Sequence, residues 1–455
     1  MTKAIFIYFN IKTIYGGYRM QNSQRILDPN IIIVPEGHEV SVVAEGLDSP
    51  ISMVFDDDGN IIVADSGYAT GYPKVLRIAD GNIEVIAEDF NFPLSGVNIL
   101  DGNIYVSHMG VITVLYSDGT RRDIIRGLPS FGDHTNSKVE FGQDDKIYFG
   151  QGTATNSGVV GIDNDWVIDH PYFCDTPGSP IILKRVNYET PNILVSASET
   201  ANTGGFLPFG QENLQYYEMV IGHTRASGAL LRANLDGSDL ELLAWGLRNP
   251  EQVMFDADGR LIISNEGMDD RGSRPIAYAP DTLELFTPGA WYGWPDYAGG
   301  EPVDSLDFTP SGRQQPIRLL ESIPSTPPEP IATFAAGSNI MGFDINYNPA
   351  FGPVGNLYIA SFGRVQYEGM SEFVRSGVGH RINQVNMRTG EVKTFALNRS
   401  GFPEPGGFGR PTDVVFGPDG AMYITDLGCD TYVESNIFLP GTGVIWKISR
   451  QENIM

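Results

Sequence analysis

Cysteines, basic residues and long apolar runs are all scarce in this chain, and each scarcity excludes a class of protein. Two cysteines, Cys174 and Cys429, are too few for a disulfide framework. Lys and Arg total 30 against 56 Asp and Glu, and the resulting net charge of −26 argues against nucleic acid or an anionic membrane as a partner. No apolar run is long enough to predict a transmembrane helix.

The first residues of the chain do not read as a signal peptide. Residues 1–19 contain one short apolar stretch, Ala4–Phe9, and no small-residue cleavage site follows it. Met20 stands behind this stretch as an alternative start of translation. We therefore expect residues 1–30 to be a disordered or mis-assigned extension, and residues 31–455 to form the folded domain.

The most frequent pattern in the sequence is a repeated hairpin. Six times an apolar segment runs into a tight turn, most often Asp-Gly, and a second apolar segment follows. Glycine suits such a turn because it adopts a positive φ without strain. The six turns are centred on Gly59, Gly102, Asp145, Gly259, Gly355 and Gly420. Hairpins repeated at long period predict a radial array of small sheets.

The spacing of these turns predicts the number of sheets and the place of the insertions. The first two intervals match the roughly 40–50 residues of a four-stranded propeller blade. Longer intervals predict loop insertions in blades 3 and 4, at about 158–227 and 268–330. Almost no chain follows the segment Val444–Ile448, so the last blade lacks an outer strand. The segment Glu39–Ala44 precedes the first hairpin and has no place in blade 1. We predict an all-β, six-bladed β-propeller whose ring is closed by the N-terminal strand. A stack of β-sandwiches is the alternative.

The same repeat predicts which side chains meet at the mouth of the central channel. Each turn lies at one end of its blade, so residues that enter the first strand or leave the second strand share the opposite end. In blade 3 this end carries His134 beside Asp133, a pairing that suits a general base. Blade 4 contributes Arg248 and Asn249, which can bind an anionic or carbonyl-rich ligand.

Blade 4 also offers oxygen ligands of the kind that calcium prefers. The segment Glu266–Asp270 places carboxylates and the Gly267 carbonyl on one short loop, without the full EF-hand spacing. The predicted metal site consists of Glu266, Gly267 and Met268. Four other histidines have no carboxylate partner beside them in the sequence, and we interpret them as structural or surface residues: His38, His170, His223 and His380.

Three segments at these positions resemble the soluble quinoprotein glucose and sorbosone dehydrogenases. They are residues 246–261, residues 291–297 with the sequence TrpTyrGlyTrpProAspTyr, and residues 409–420. The resemblance runs from about residue 35 to the C-terminus. It implies a six-bladed propeller that binds pyrroloquinoline quinone (PQQ) and calcium, oxidises an aldose or related sugar, and passes electrons to an external acceptor. Enzymes of this kind usually work outside the cytoplasmic membrane.

The resemblance also implies roles for individual residues. His134 is the base that takes the proton of the sugar hydroxyl, and Asp133 orients it. Arg248 polarises the quinone oxygens, and Asn249 and Arg410 hold the cofactor. Glu266 stands where the family has a glutamine, and Gly267 falls on a calcium-binding backbone position. Two family cations are replaced: a lysine aligns with Gly363, next to Arg364, and an arginine aligns with Thr412.

Two other functions remain open on sequence grounds. In a lactonase-type hydrolase, calcium held by Glu266, Asn249 and either Asp65 or Asp426 would activate water. In a non-catalytic propeller, the face covered by the insertions would bind a carbohydrate or a protein. All three hypotheses use the channel mouth, so the geometry of that mouth discriminates among them.

Overall fold

The computed structural model describes residues 25–365, 377–429 and 438–451 as six antiparallel sheets arranged in a ring. The first strands of adjacent blades contact one another, which places them around the central channel. The second strands are packed on both sides; in blade 1, all of Ile61–Asp65 is buried. The prediction of an all-β, six-bladed propeller is confirmed. No helix in the described part of the chain is long and apolar enough to cross a membrane.

The strand bounds of the first three blades follow the hairpin repeat. Blade 1 consists of Pro50–Phe55, Ile61–Asp65, Lys74–Ala79 and Asn82–Ala87. Blade 2 consists of Leu94–Leu100, Asn103–His108, Val111–Leu115 and Arg121–Arg126. Blade 3 consists of Glu140–Phe141, Lys146–Gln151, Ala229–Asn234 and Glu241–Trp245.

The other three blades have the same order, with one exception at the end of the chain. Blade 4 consists of Asn249–Phe255, Leu261–Glu266, Asp281–Leu285 and Ala332–Phe334. Blade 5 consists of Ile340–Ile345, Leu357–Ser361, Arg381–Val385 and Val392–Asn398, with the short strand Ile32–Ile33 paired to its outer edge. Blade 6 consists of Pro411–Phe416, Met422–Asp426 and Gly443–Arg450, and His38–Leu47 supplies its outer strand.

Ring closure therefore joins the two ends of the described chain within one sheet. His38–Leu47 pairs antiparallel with Gly443–Arg450. Residues 1–24 of the expected N-terminal extension lie outside the described residues. Arg25, also assigned to that extension, is buried against blade 6, where it bonds to Asp426 at 2.9 Å.

All six hairpin turns adopt the backbone conformation that their residue types predict. Gly59, Gly102, Gly259, Gly355 and Gly420 have φ between 73° and 81°, and Asp145 has φ 56°. An added Cβ at Gly59 or Gly259 would meet nothing within 4 Å, so the backbone angle, and not crowding, calls for glycine there.

Small elements outside the blades cover the channel-mouth side. In blade 3 they lie between the second and third strands: the 3-10 helix Asp165–Ile168 and the paired strands Ile181–Leu183 with Glu218–Val220 and Asn187–Asn192 with Ser196–Gly204. In blade 4 they are Tyr297–Ala298, Glu301–Pro302 and the 3-10 helix Leu306–Phe308. The range 268–330, expected to be an insertion, also contains the third strand of blade 4, Asp281–Leu285. A further 3-10 turn, Pro29–Ile31, precedes the first strand.

Hydrogen bonds join every pair of neighbouring blades near the channel. Each bond has a donor–acceptor distance between 2.8 and 3.4 Å. In order from the blade 1–2 junction to the blade 6–1 junction, they are Leu94 N to Ser66 O, Asn98 Nδ2 to Val139 O, Phe255 N to Glu140 Oε1, Gln252 Nε2 to Phe343 O, Phe416 N to Asp344 Oδ2 and Met53 N to Asp413 Oδ2.

One ion pair crosses the channel between opposite blades. Lys138 Nζ at the entry to blade 3 lies 3.1 Å from Asp413 Oδ2 in blade 6, and both side chains are largely buried. Glycines at Gly96 and Gly342 leave room for them, since an added Cβ would lie 2.2 Å from Lys138 and from Asp413, respectively. The pair therefore occupies the axis of the propeller.

We expect Asp413→Ala to destabilise the protein by about 3–5 kcal/mol, because it leaves the Lys138 charge buried without its partner. Urea unfolding measures this loss. Lys393→Ala is the matched control: Lys393 pairs with Glu391 at 3.0 Å, both side chains are more than half exposed, and its loss should cost less than about 1 kcal/mol. Adding Lys138→Met to Asp413→Ala should restore part of the stability. Equal losses in Asp413→Ala and Lys393→Ala would contradict a stabilising role for the axial pair.

Candidate active site

The second strand of every blade ends at the same face of the propeller. Each of these strands ends on a polar residue, as the repeat predicted: Asp65, His108, Gln151, Glu266, Ser361 and Asp426. His134 and Asn249 lie at this face as well, since both pack against Gly152, which follows the second strand of blade 3. An added Cβ at Gly152 would lie 2.3 Å from His134 Cβ and 2.8 Å from Asn249 Oδ1. The structure thus brings the predicted base next to the predicted ligand-binding amide.

Thr153 fixes the imidazole of His134. Nδ1 of His134 lies 3.0 Å from the Thr153 carbonyl oxygen and 3.3 Å from its hydroxyl, and the His134 amide also donates to that carbonyl. A carbonyl can only accept, so Nδ1 carries the proton and Nε2 keeps its lone pair. Burial holds the pKa of His134 well below its usual 6.5, and the positive charges of Arg248 and Arg271 lower it further. The imidazole is therefore neutral at physiological pH.

Asp133 does not hydrogen-bond the imidazole of its neighbour. Its carboxylate accepts hydrogen bonds from Trp166 Nε1 at 2.8 Å and Asn164 Nδ2 at 3.0 Å, and lies 2.7 Å from the Arg271 guanidinium. Trp166 and Asn164 belong to the blade 3 insertion. In this structure Asp133 anchors that insertion to the rim, and the orienting contact implied by the resemblance is made by Thr153.

Arg248, Asn249 and Glu266 form one cluster at the edge of blade 4. Arg248 lies 3.6 Å from Glu266 and 2.8 Å from Asp269, and Asn249 Nδ2 donates to Glu266 Oε2 at 2.8 Å. Thr153 joins this cluster to the base, because its amide donates to the Arg248 carbonyl at 2.9 Å. Four of the predicted site residues, His134 among them, therefore converge on one side of the mouth.

Sequence reasoning missed two further members of this cluster. Glu251 Oε1 accepts from Asn249 Nδ2 at 2.5 Å, so that one amide bridges two carboxylates, and burial together with the charge of Glu266 raises the pKa of Glu251. Arg271 is almost wholly buried and pairs with Asp133, with Asp163 at 2.6 Å and with Asp269 at 3.4 Å. The run of charges in Asp269–Arg271 was visible in the sequence, but its partners come from distant segments.

Arg410 lies apart from this cluster, between blades 5 and 6. Its Nη1 donates to three carbonyls, those of Phe362, Gly363 and Arg364, at 2.9 to 3.2 Å. Gly363 packs against the buried ring of His380: an added Cβ would lie 2.5 Å from His380 Nε2, so no lysine fits there. Burial lowers the pKa of His380 to about 3, and this histidine is structural, as we expected from the sequence.

The Thr412 side chain also makes a structural contact. Its hydroxyl is buried and lies 3.1 Å from the Pro50 carbonyl, at the junction of blades 6 and 1. The carboxylates invoked for a lactonase are occupied in a similar way. Asp65 accepts from the amides of Ser49 and Gly67, and Asp426 accepts from those of Gly409 and Arg410. Neither is brought to Glu266 by a described contact, so the geometry does not support that hypothesis.

The predicted metal site rests mainly on backbone oxygens. No group of three or more His, Cys, Asp and Glu side chains in the described ranges is arranged to hold a metal ion. The predicted ligand set contains one such side chain, Glu266. The Gly267 amide donates to Asp281 Oδ1 at 2.8 Å, and the Met268 side chain is buried in the apolar core. Glu266, Gly267 and Met268 stay a prediction.

Known proteins provide a fold for comparison. No family model and no curated protein matches the chain. Solved structures do. The PQQ-bound aldose sugar dehydrogenase of Streptomyces coelicolor is 16% identical, with a TM-score of 0.53 over 92% of this chain and 99% of that one. The holo PQQ domain of pyranose dehydrogenase from Coprinopsis cinerea is 15% identical, with a TM-score of 0.56 over 92% and 97%.

A third structure points the same way. The calcium structure of a family AA12 carbohydrate-active enzyme from Trichoderma reesei is 16% identical, with a TM-score of 0.55 over 94% of this chain and 99% of that one. The fold is that of quinone-dependent sugar dehydrogenases. At these identities the likeness is one of fold, and it confirms the neighbours that the three sequence segments predicted.

The blade 4 cluster offers contacts to a bound quinone, whereas the blade 5 loop does not. Arg248 Nε is buried and has no hydrogen-bond partner among the described residues, so a donor remains for an anionic ligand. Glu266 and Asp269 lie 3.6 Å and 2.8 Å from that guanidinium, and Glu251 shares the Asn249 amide with Glu266. At Gly363, by contrast, the cation expected from the family is absent. The blade 4 side therefore offers the buried Nε of Arg248 to an anionic cofactor, and the blade 5 loop offers no lysine at Gly363.

We expect Arg271→Gln to raise the pKa of His134 towards 6.5. The substitution removes one of the two positive charges that lower this pKa, and it frees the nearby Asp133 carboxylate. Titration of the imidazole signals by NMR measures the change. Arg274→Gln is the matched control, because Arg274 is equally buried in the same loop but pairs with Asp296 at 2.8 Å. An unchanged pKa in Arg271→Gln, or the same rise in both variants, would refute the electrostatic role of Arg271.

Proposed function

We propose that this protein is a quinone-dependent dehydrogenase that oxidises a sugar hydroxyl, with His134 as the general base. One observation carries the proposal: a neutral imidazole with its Nε2 lone pair available lies beside Arg248 and Asn249 at the channel mouth. No hydrogen bond to Nε2 of His134 is found among the described residues. A base needs such an unprotonated nitrogen at the operating pH.

His134 would take the proton of the hydroxyl at Nε2 while the carbon of that hydroxyl gives up a hydride. The Thr153 carbonyl accepts from Nδ1 and stabilises the imidazolium that forms, because it keeps its partner N–H aligned. Asp133 contributes indirectly, because it holds the insertion residues Asn164 and Trp166 against the rim.

Arg248 and Asn249 would bind the acceptor of the hydride. Bound PQQ supplies a two-electron acceptor, which an external electron acceptor must reoxidise. A guanidinium and an amide suit the oxygens of a quinone and its carboxylates. Glu266 and the carbonyls of Gly267 and Met268 would hold the calcium ion, and Asn249 would keep Glu266 in place through the 2.8 Å hydrogen bond.

We assign Arg410 and Arg364 a supporting role and no direct contact with the cofactor. Nη1 of Arg410 donates to three backbone carbonyls, one of them from Arg364. We infer that Arg410 supports the loop after the second strand of blade 5, and that cofactor affinity depends on the blade 4 side. Two of the solved structures described above are an aldose sugar dehydrogenase and a pyranose dehydrogenase, and the third is a carbohydrate-active enzyme, which supports a sugar as the substrate here.

The test is dye reduction by the protein with PQQ, calcium and a panel of aldoses. We expect turnover in the wild type and a loss of about 10²- to 10⁴-fold in kcat/KM for His134→Gln, because the general base is removed. His170→Gln is the matched control: His170 also lies at the mouth, where its ring stacks on Phe131 at 4.4 Å, and its loss should leave turnover unchanged.

Two results would count against the proposal. Absence of turnover with any aldose, together with absence of quinone binding, would leave a non-catalytic binding protein as the better account. Equal turnover in the wild type and His134→Gln would remove His134 from the chemistry.

A further inference from the structure

A cavity of about 290 Å³ lies between blades 4 and 5. One wall is the outer strand of blade 4, with Thr333 and Phe334, and the other is formed by the third and fourth strands of blade 5. Arg381 begins that third strand and pairs across the sheet with Ser361, where the second strand ends at the channel mouth. We call this space the blade 4–5 cavity. None of its lining residues belongs to the cluster around His134.

Arg381 is the one charged residue among the described residues that line the blade 4–5 cavity. Its Nε donates to the Gly379 carbonyl at 2.8 Å, its Nη1 to the Thr394 hydroxyl at 3.3 Å, and its Nη2 to the Gly377 carbonyl. A guanidinium has five N–H groups, so one N–H on each Nη remains for a ligand. The three internal hydrogen bonds hold the side chain in place, so that less side-chain entropy is lost on binding.

No carboxylate in the described ranges neutralises this guanidinium. The lining residues include neither Asp nor Glu, although the whole chain has 56 of them against 30 Lys and Arg. Arg381 is half-buried, and burial alone lowers its pKa, with no nearby carboxylate to raise it again. A partly desolvated positive charge without a counter-charge favours the binding of an anion.

Ser338 offers a hydroxyl to the same cavity. The residue is only 5% exposed, yet its hydroxyl makes no hydrogen bond within the part of the chain that the structure describes. Its carbonyl accepts from the Gly363 amide at 2.9 Å, which fixes Ser338 beside the blade 5 loop. Leaving a buried hydroxyl without a partner costs free energy, and a ligand oxygen at this position would recover it.

We propose that the blade 4–5 cavity binds the oxyanion group of a small molecule, a carboxylate or a phosphate, through Arg381 and Ser338. Guanidinium N–H groups match the paired oxygens of such anions, and a hydroxyl can donate to another oxygen. Phe334 and Val392 offer apolar contacts to the rest of the molecule. The cavity volume is close to the roughly 300 Å³ of the smaller ligand pockets. This site goes beyond the proposed function, because it requires neither a quinone nor the base His134.

Isothermal titration calorimetry of the full-length protein with inorganic phosphate and with gluconate tests the proposal, in the presence of a chelator and at constant ionic strength. Glucose is the neutral counterpart of gluconate. We expect saturable binding of at least one anion, and the anion that binds identifies a phosphate or a carboxylate as the ligand group. Arg381→Gln should weaken this binding by about tenfold or more, because charge-assisted hydrogen bonds are lost.

Arg388→Gln is the matched control. Arg388 is exposed and lies in the turn between the third and fourth strands of the same blade, at the end away from Arg381. Its substitution changes the net charge equally and should leave the affinity for both anions unchanged.

Ser338→Ala is a second variant at the site. It should weaken binding by about three- to tenfold, because one hydrogen bond to the anion is lost. The Ser338 hydroxyl has no partner in the described ranges, so its removal should leave the fold intact. This variant decides the question if Arg381→Gln fails to fold.

Absence of binding of both anions to the wild type would overturn the proposal. Equal affinity in the wild type and Arg381→Gln would also overturn it, since the buried Nε of Arg248 is another donor for an anion. Glucose binding that is lost in Arg381→Gln would reveal a site for neutral sugars instead. Dye reduction tests the proposed function separately, so failure at this cavity leaves the role of His134 untouched.

Discussion

The antiparallel pairing of His38–Leu47 with Gly443–Arg450 closes the ring of blades, and the position of the site depends on that closure. Without it, blade 6 would lack its outer strand and two sheet edges would stay open. Closure also fixes the curvature at which the first strands contact one another. The loop after the second strand of blade 3 lies against the entry to blade 4, where the Thr153 amide donates to the Arg248 carbonyl.

At this contact the protein buries an unusual set of charges. Two arginines, Arg248 and Arg271, share the carboxylates of Asp133, Asp163, Asp269 and Glu266. Buried carboxylates cost free energy unless they are paired and hydrogen-bonded. The pairing ties the blade 3 insertion to the rim, and near Asn249 the carboxyl groups of Glu251 and Glu266 share one amide donor.

Much of the fold could be predicted from the sequence because its determinants are local. The turn at Gly59 or Gly420 is specified by two residues, and the strand that leaves it ends where the apolar alternation ends, at Asp65 or Asp426. The spare strand at one end of the chain and the missing strand at the other predicted closure. The third strand of blade 4 was missed, because Asp281–Leu285 lies among loop-like residues with no hairpin signal of its own.

The site was predictable only in part, since its contacts join distant segments. The repeat predicted that His134, Arg248, Asn249 and Glu266 lie together, because it places strand ends on one rim. Thr153 and Arg271 were missed, because a carbonyl acceptor and an arginine with partners more than a hundred residues away leave no local pattern. Family resemblance made Asp133 an orienting residue, whereas its own neighbours, Trp166 and Asn164, come from the insertion.

We propose that the blade 4 side, with calcium, holds an anionic quinone although Gly363 and Thr412 stand where the family has cations. Equilibrium binding of PQQ to the purified protein, with calcium and with a chelator in its place, tests it most directly. The account predicts saturable binding with calcium, loss of that binding with the chelator, and a sharp decrease in Glu266→Ala. Binding of equal strength in the chelator, or no binding under either condition, would contradict it.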